Sequence, residues 1–214
     1  MTCGIPVPGP SEAFTTAFVK HSDVPVWFHV YSDKNHPTYA DSFSKGWGDT
    51  RFAPIHAEDG TWVHTYYLAS TPECAYIESV FHEIPLNPPG SFDEDELRYY
   101  HLAQVILPER LHCVSFHTPY LPALQNLKRA QLIDSLPACY EETRAWSQAA
   151  YLQRPEAQAI AYGSRRDDAG RCLMLFGQRM PDPPLRILSD EPLALEPRRS
   201  EIIALIRRLK IQKI

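Results

Sequence analysis

Two hydrophobic periods alternate along this chain, and together they define its elements. Pro25 to Tyr31, PVWFHVY, is aromatic and β-branched, which predicts a strand. Thr61 to Ala69, TWVHTYYLA, carries apolar or aromatic residues at both parities, the pattern of a strand buried on both faces. Arg98 to Leu107 and Leu111 to Phe116 read as two more strands. Ala159 to Ser164 and Cys172 to Phe176 flank a hairpin connection at Asp167-Asp168-Ala169-Gly170.

Helical spacing appears between them. Thr71 can cap a helix with Pro72 at its first position, where the missing N–H would be unpaired anyway. Ile77, Val80, Phe81 and Ile84 form its apolar stripe, and Pro85 stops it. Leu121, Leu124, Leu127 and Leu132 predict a helix over 121–136, and Tyr140 to Gln153 predicts another. Ser200 caps a last helix to Lys210, with Ile202, Leu205, Ile206 and Leu209 on one face and basic residues near its C-terminal end. Residues 85–96 read as a surface loop, and residues 181–199 as an extended, proline-punctuated stretch. The mixture is α/β (α+β), with an arm over residues 1–24 and one domain over residues 25–214.

Composition narrows the function. A formal charge of −5 argues against nucleic-acid binding, which draws its affinity from a basic face. The 20 prolines predict many short elements joined by ordered loops. Five scattered cysteines with no CxxC predict free thiols in a reducing compartment. With no basic-then-apolar start over residues 1–20 and no run of about 18 apolar residues, the expected location is cytoplasmic, off the membrane.

Four residues stand where chemistry could occur. Arg51 follows the glycine turn Gly46-Trp47-Gly48, and a guanidinium fork there can meet a phosphate or carboxylate. Its plain alternative is a structural salt bridge. Glu78 lies beside the apolar stripe of its helix, where it could stabilise developing positive charge; the plain alternative is an ion pair with His82 one turn on. Tyr67 is either a site residue or a core tyrosine. Ser164 ends a strand before a turn, where serine is common for backbone reasons alone. Arg165 and Arg166 read as turn charges within reach of a phosphate. His112, Cys113 and His117 do not suit a metal, because adjacent strand residues point to opposite faces and zinc spacings are missing.

Taken together, GDTRFAP, TYYLASTPECAYIE and IAYGSRRDDAGRCLMLFGQR resemble the RES domain, a family named for its arginine, glutamate and serine. The matching positions are Arg51, Glu78 and Ser164, with Tyr67 as the family's strand tyrosine. Phe52 stands where some members carry tyrosine; ring stacking on a ligand would survive that change. The resemblance implies an ADP-ribosyltransferase-like split β-sheet core with flanking helices. It implies a toxin of a bacterial toxin–antitoxin pair that cleaves the nicotinamide–ribose bond of NAD⁺ by phosphorolysis or hydrolysis. NAD⁺ would be a substrate and inorganic phosphate a possible co-substrate, with no cofactor or metal. Catalysis would fall to Arg51, Tyr67, Glu78 and Ser164, and NAD⁺ binding to Arg51, Phe52, Tyr67 and Ser164. The implied partner is an Xre-like helix-turn-helix antitoxin, in a homo- or hetero-oligomer. Protein mono-ADP-ribosylation and a non-catalytic, partner-binding role are the alternatives.

Overall fold

A computed structural model describes residues 3–214. Along it run β1 (Thr16–Lys20), β2 (Trp27–Ser32), β3 (Thr65–Ala69), α1 (Pro72–Glu78), β4 (Ser91–Phe92), β5 (Tyr100–Ile106) and β6 (Arg110–Ser115). There follow α2 (Arg129–Leu132), α3 (Tyr140–Gln153), β7 (Ala159–Gly163), β8 (Arg171–Phe176), β9 (Arg186–Pro192), α4 (Arg198–Arg208) and β10 (Gln212–Lys213).

Eight strands form a mixed sheet in the order β1-β6-β7-β8-β3-β2-β5-β9, and β10 pairs with β4 apart from it. Within the sheet only β6 and β7 are parallel neighbours. The α+β class expected from the sequence is therefore observed. The sheet is also nearly in two pieces. β2 pairs with β5 from Trp27↔Val105 to Ser32↔Tyr100, yet it meets β3 at a single pair, Phe28↔Ala69. Beyond that pair the two strands part and leave a cleft.

Each face of the sheet has its own core. Helices α1, α3 and α4 cover one face, where Trp146, Ile202 and Phe81 pack on Val114, Ile160 and Met174. The other face gathers Trp27, Tyr66, Leu68, Leu111 and Leu175. β3 contributes to both, with Tyr66 and Leu68 on one face and Ala69 on the other, as its unbroken apolar run requires. Fully burying one such aliphatic or aromatic side chain contributes roughly 1.5–3 kcal/mol.

The helix over Tyr140–Gln153 forms as expected, and Thr71 Oγ1 accepts the Cys74 amide at 3.1 Å to cap α1. Other expectations need correction. Helix α1 ends at Glu78; the chain then turns through residues 79–84, held by Arg166, whose Nη1 donates to the carbonyls of Phe81 and Ile84 at 2.6 and 2.7 Å. The leucine-rich helix over 121–136 does not form. Pro122 lies within a 3-10 turn, and Gln125 and Asn126 take φ of 52° and 58°, so only α2 remains helical. Two edge strands were hidden. β1 lies within the stretch read as an arm and pairs with β6 from Thr16↔Val114 to Lys20↔Arg110, while β9 runs through the proline-punctuated segment and pairs with β5. Cys3 and Cys139 are disulfide-bonded across 136 residues, leaving Cys74, Cys113 and Cys172 free, so the expectation of five free thiols fails. Sequence spacing could not anticipate that bond, because residues 3–15 meet the start of α3 only in the folded chain. Among the described residues no helix is long and apolar enough to cross a membrane.

Candidate active site

Where β2 and β3 part, a cavity of about 250 Å³ opens. Phe28, His29 and Val30 line it from β2 and Tyr67, Leu68 and Ala69 from β3, and Arg51 and Glu78 complete the lining beside them. His29 closes part of the broken ladder with its side chain. Its Nδ1 lies 2.7 Å from the Tyr67 carbonyl, which can only accept, so Nδ1 carries the proton. Burial pulls the His29 pKa down to about 4, and the Tyr67 carbonyl only partly opposes that. His29 is thus neutral at pH 7. The sequence reading missed it, because a histidine inside an aromatic strand looks like any other core position.

Helix α3 positions Arg51. The inner face of α3 presents Thr143, Ser147 and Gln148 where an apolar stripe would be expected. Thr143 Oγ1 donates to the Arg51 carbonyl, Ser147 Oγ to the Phe52 carbonyl, and Gln148 Nε2 to the His56 carbonyl. The loop from Arg51 to His56 is therefore clamped by hydrogen bonds to a rigid helix. Arg51 is 5% exposed, and its Nε and Nη2 are buried with no hydrogen-bond partner. Its guanidinium carbon stands 5.8 Å from the Tyr140 ring centre and 6.0 Å from that of Phe52. A buried cation without a carboxylate or carbonyl beside it is costly, and an anion entering the cavity would relieve that cost.

Glu78 ends α1 and is held from behind. Ser164 Oγ donates to Glu78 Oε1 at 2.5 Å, and the Arg165 amide donates to the same oxygen at 2.9 Å. Ser164 Oγ in turn accepts the amides of Arg166 and Asp167 at 3.1 and 2.9 Å. The serine and its turn fix one carboxylate oxygen and leave Oε2 free of partners among the described residues. The Glu78–His82 ion pair, the plain alternative, does not form, because His82 turns to Glu83 instead.

Tyr67 reaches the cavity, with its hydroxyl 2.8 Å from Thr50 Oγ1. Burial raises its pKa well above the ordinary tyrosine value, and Thr50 and Arg51 only partly oppose this, so it stays protonated. Tyr162, buried beside Tyr67, is raised in the same way.

Arg51, Tyr67 and Glu78 therefore meet on one cavity, and Ser164 joins them from behind Glu78, fully buried and outside the cavity wall. Phe52 does not meet them. It is fully buried, packed on Phe116 and Tyr162 at 5.5 and 5.0 Å, and its ring faces the core where no ligand could stack on it. The turn arginines also divide. Arg166 is spent on the carbonyls of Phe81 and Ile84, whereas the Arg165 side chain makes no ion pair or hydrogen bond among the described residues. His112 stacks on Phe18 at 4.8 Å, while Cys113 is buried on the opposite face of β6, as strand alternation requires.

A family model described as the RES domain matches residues 27–196. No curated protein matches the chain in sequence. Among solved structures, the fold is similar to a chain of the M. tuberculosis MbcT-MbcA toxin-antitoxin complex, with a TM-score of 0.57 and 16% identity over 81% of this chain and 88% of that one. At that identity the likeness is one of fold.

Proposed function

Since this chain belongs to the RES domain family, we propose that it is the toxin of a bacterial toxin–antitoxin pair and that it destroys NAD⁺ by cleaving the nicotinamide–ribose bond. The observation that carries this reading is the pairing of two groups across one small cavity. Arg51 is a buried cation with unpartnered donors, and Glu78 is a carboxylate locked through one oxygen with the other free.

Their chemistry suits glycosyl transfer. Breaking the C–N bond to nicotinamide builds positive charge on the ribose, as in other glycosyl transfers. The free Oε2 of Glu78 stabilises that charge or holds a ribose hydroxyl, while the Ser164 hydroxyl keeps the carboxylate aimed. Nicotinamide departs as a neutral molecule, so no general acid is needed, and positioning and electrostatics supply the rate. Arg51 takes an anionic oxygen, from the NAD⁺ diphosphate or from incoming phosphate. Tyr67, protonated, offers its ring and O–H to the nicotinamide end. A cavity of about 250 Å³ accepts that end and leaves the adenosine outside. Ser164 acts by positioning Glu78, and Phe52 by packing beneath Arg51.

The partner in this reading is an Xre-like helix-turn-helix antitoxin that blocks the cavity. The similar fold of a chain in a toxin–antitoxin complex supports an antitoxin as the partner. The protein would act in the cytoplasm, where NAD⁺ is available, within an oligomer, as one catalytic domain in which the segment carrying β1 is joined to residues 25–214 by the sheet and the core. Expression without antitoxin tests the reading: cellular NAD⁺ falls and growth stops with the wild-type chain, and neither happens with Glu78→Gln.

A further inference from the structure

His82 is an ionisable group on the cavity wall with no role in that account. His82 lies four residues beyond Glu78, in the turn that ends α1, and it lines the cavity. Its Nδ1 is 2.5 Å from Glu83 Oε1, and its Nε2 is 3.4 Å from the Tyr140 hydroxyl. These contacts define its tautomer. A carboxylate can only accept, so Nδ1 carries the proton, and in the neutral imidazole Nε2 is an acceptor. The Tyr140 hydroxyl, held protonated by burial, donates weakly to that nitrogen across a distance long enough for another O–H to displace it. The arrangement is that of a base held in orientation by a carboxylate behind it.

The charged and titratable groups facing this corner come from every element around it. Glu83 belongs to the same turn, Glu78 to α1, Tyr140 to α3, Asp49 and Arg51 to the loop before β3, with Asp49 held by Arg144 of α3, and Arg165 and Arg166 to the β7–β8 turn. Glu78 is committed to the ribose, so the acceptor that attacks it must be received by something else. Arg51 can hold an anionic oxygen but cannot accept a hydrogen bond. His82 Nε2 can.

We propose that His82 is the acceptor-binding residue of this site: its Nε2 receives the O–H of the attacking molecule, hydrogen phosphate or water, while Arg51 holds the anionic oxygens of phosphate. The proposal rests on the NAD⁺-cleaving reading above. With hydrogen phosphate, the P–OH donates to Nε2 and an anionic oxygen bonds to the ribose carbon. The C–N electron pair leaves with nicotinamide, and phosphate keeps its proton. With water, the O–C bond forms as the proton passes to Nε2, which later releases it to solvent. Both routes balance without an oxidant or a metal.

Purified wild-type protein, His82→Ala, His82→Gln and Glu83→Gln are compared for NAD⁺ loss over a series of inorganic phosphate concentrations and without phosphate, with a thermal melt of each. His82→Ala should raise the phosphate concentration for half-maximal rate by about tenfold or more, with KM for NAD⁺ unchanged. Its phosphate-free rate should fall by about a hundredfold. His82→Gln, whose amide oxygen can accept a hydrogen bond, should recover part of the phosphate affinity. Glu83→Gln, at an exposed position, should move the same quantities less. A folded His82→Ala with wild-type phosphate dependence and wild-type phosphate-free rate overturns the proposal and leaves the NAD⁺ reading standing. So does a rise confined to KM for NAD⁺. Wild-type protein that leaves NAD⁺ intact in both buffers overturns both.

Discussion

Replacing Ser164 by alanine separates a serine that aims Glu78 from one that touches substrate. The change removes a donation to Glu78 Oε1 at 2.5 Å and two acceptances, from the Arg166 and Asp167 amides at 3.1 and 2.9 Å. A hydrogen bond to a charged group contributes about 1.5–3 kcal/mol, and each amide left unpaired costs about 1–3 kcal/mol unless the turn relaxes toward water. With partial relaxation the loss of stability is about 2–4 kcal/mol. In a domain of this size that lowers Tm by roughly 5–15 °C. Glu78 then keeps only the Arg165 amide as a holder. Losing about 1.5–3 kcal/mol of orientation in the transition state slows kcat about ten- to a hundredfold. KM for NAD⁺ stays where it was, because Ser164 is behind the carboxylate and off the cavity wall. Steady-state NAD⁺ consumption, measured below the variant's melting point, reads both constants. A raised KM with kcat intact refutes the reasoning, since Ser164 would then be contacting substrate. Unchanged kcat and KM refute it too.

Arg51→Met should stabilise the unliganded protein by about 1–3 kcal/mol, since it removes a buried guanidinium with two unpartnered donors; Tm rises in the variant, and the Tm increase given by added phosphate disappears. His29→Gln should flatten the acid side of the stability profile. The pKa of His29 falls from 6.5 when unfolded to about 4 when folded, so its contribution is complete above about pH 6.5 and is lost as pH falls toward 4. That loss is about 3 kcal/mol, read from urea midpoints across this window in wild type and variant. Cys3→Ser should cost about 2–5 kcal/mol under non-reducing conditions and nothing further under reduction, and thiol titration of the unfolded, unreduced wild type should find three free thiols.

The parts of the fold legible in the sequence are those in which local preference and tertiary packing agree. Helix α3 is rich in good helix formers, YEETRAWSQAAYLQ, and Thr71-Pro72 marks the start of α1 by capping chemistry that needs no partner. β1 and β9 were illegible because edge strands owe their structure to a neighbour: TAFVK is short and follows a stretch with Pro6, Pro8 and Pro10 that resembles an arm, and β9 follows Pro183 and Pro184. The leucines of 121–136 mimic a helix because their spacing suits one, but Pro122 and the left-handed Gln125 and Asn126 turn them into separate anchors for the core. At the site, the meeting of Arg51, Tyr67 and Glu78 followed from motif resemblance. The routes to it did not: Thr143 and Ser147 reach their carbonyls from about ninety residues away, and Ser164 points inward to Glu78. Phe52 was misjudged because it adjoins Arg51 in sequence, whereas the loop turns its ring onto Phe116 and Tyr162 in the core.

The most direct test of the central claim is the fate of NAD⁺ with purified, folded, antitoxin-free protein, in buffers with and without inorganic phosphate, with products identified by mass and Glu78→Gln run beside the wild type. The account predicts release of nicotinamide by the wild type, with ADP-ribose or its phosphorylated form as the second product according to the acceptor, and loss of that activity in a Glu78→Gln protein that still folds. Intact NAD⁺ in both buffers, or a Glu78→Gln variant as active as the wild type, would contradict it.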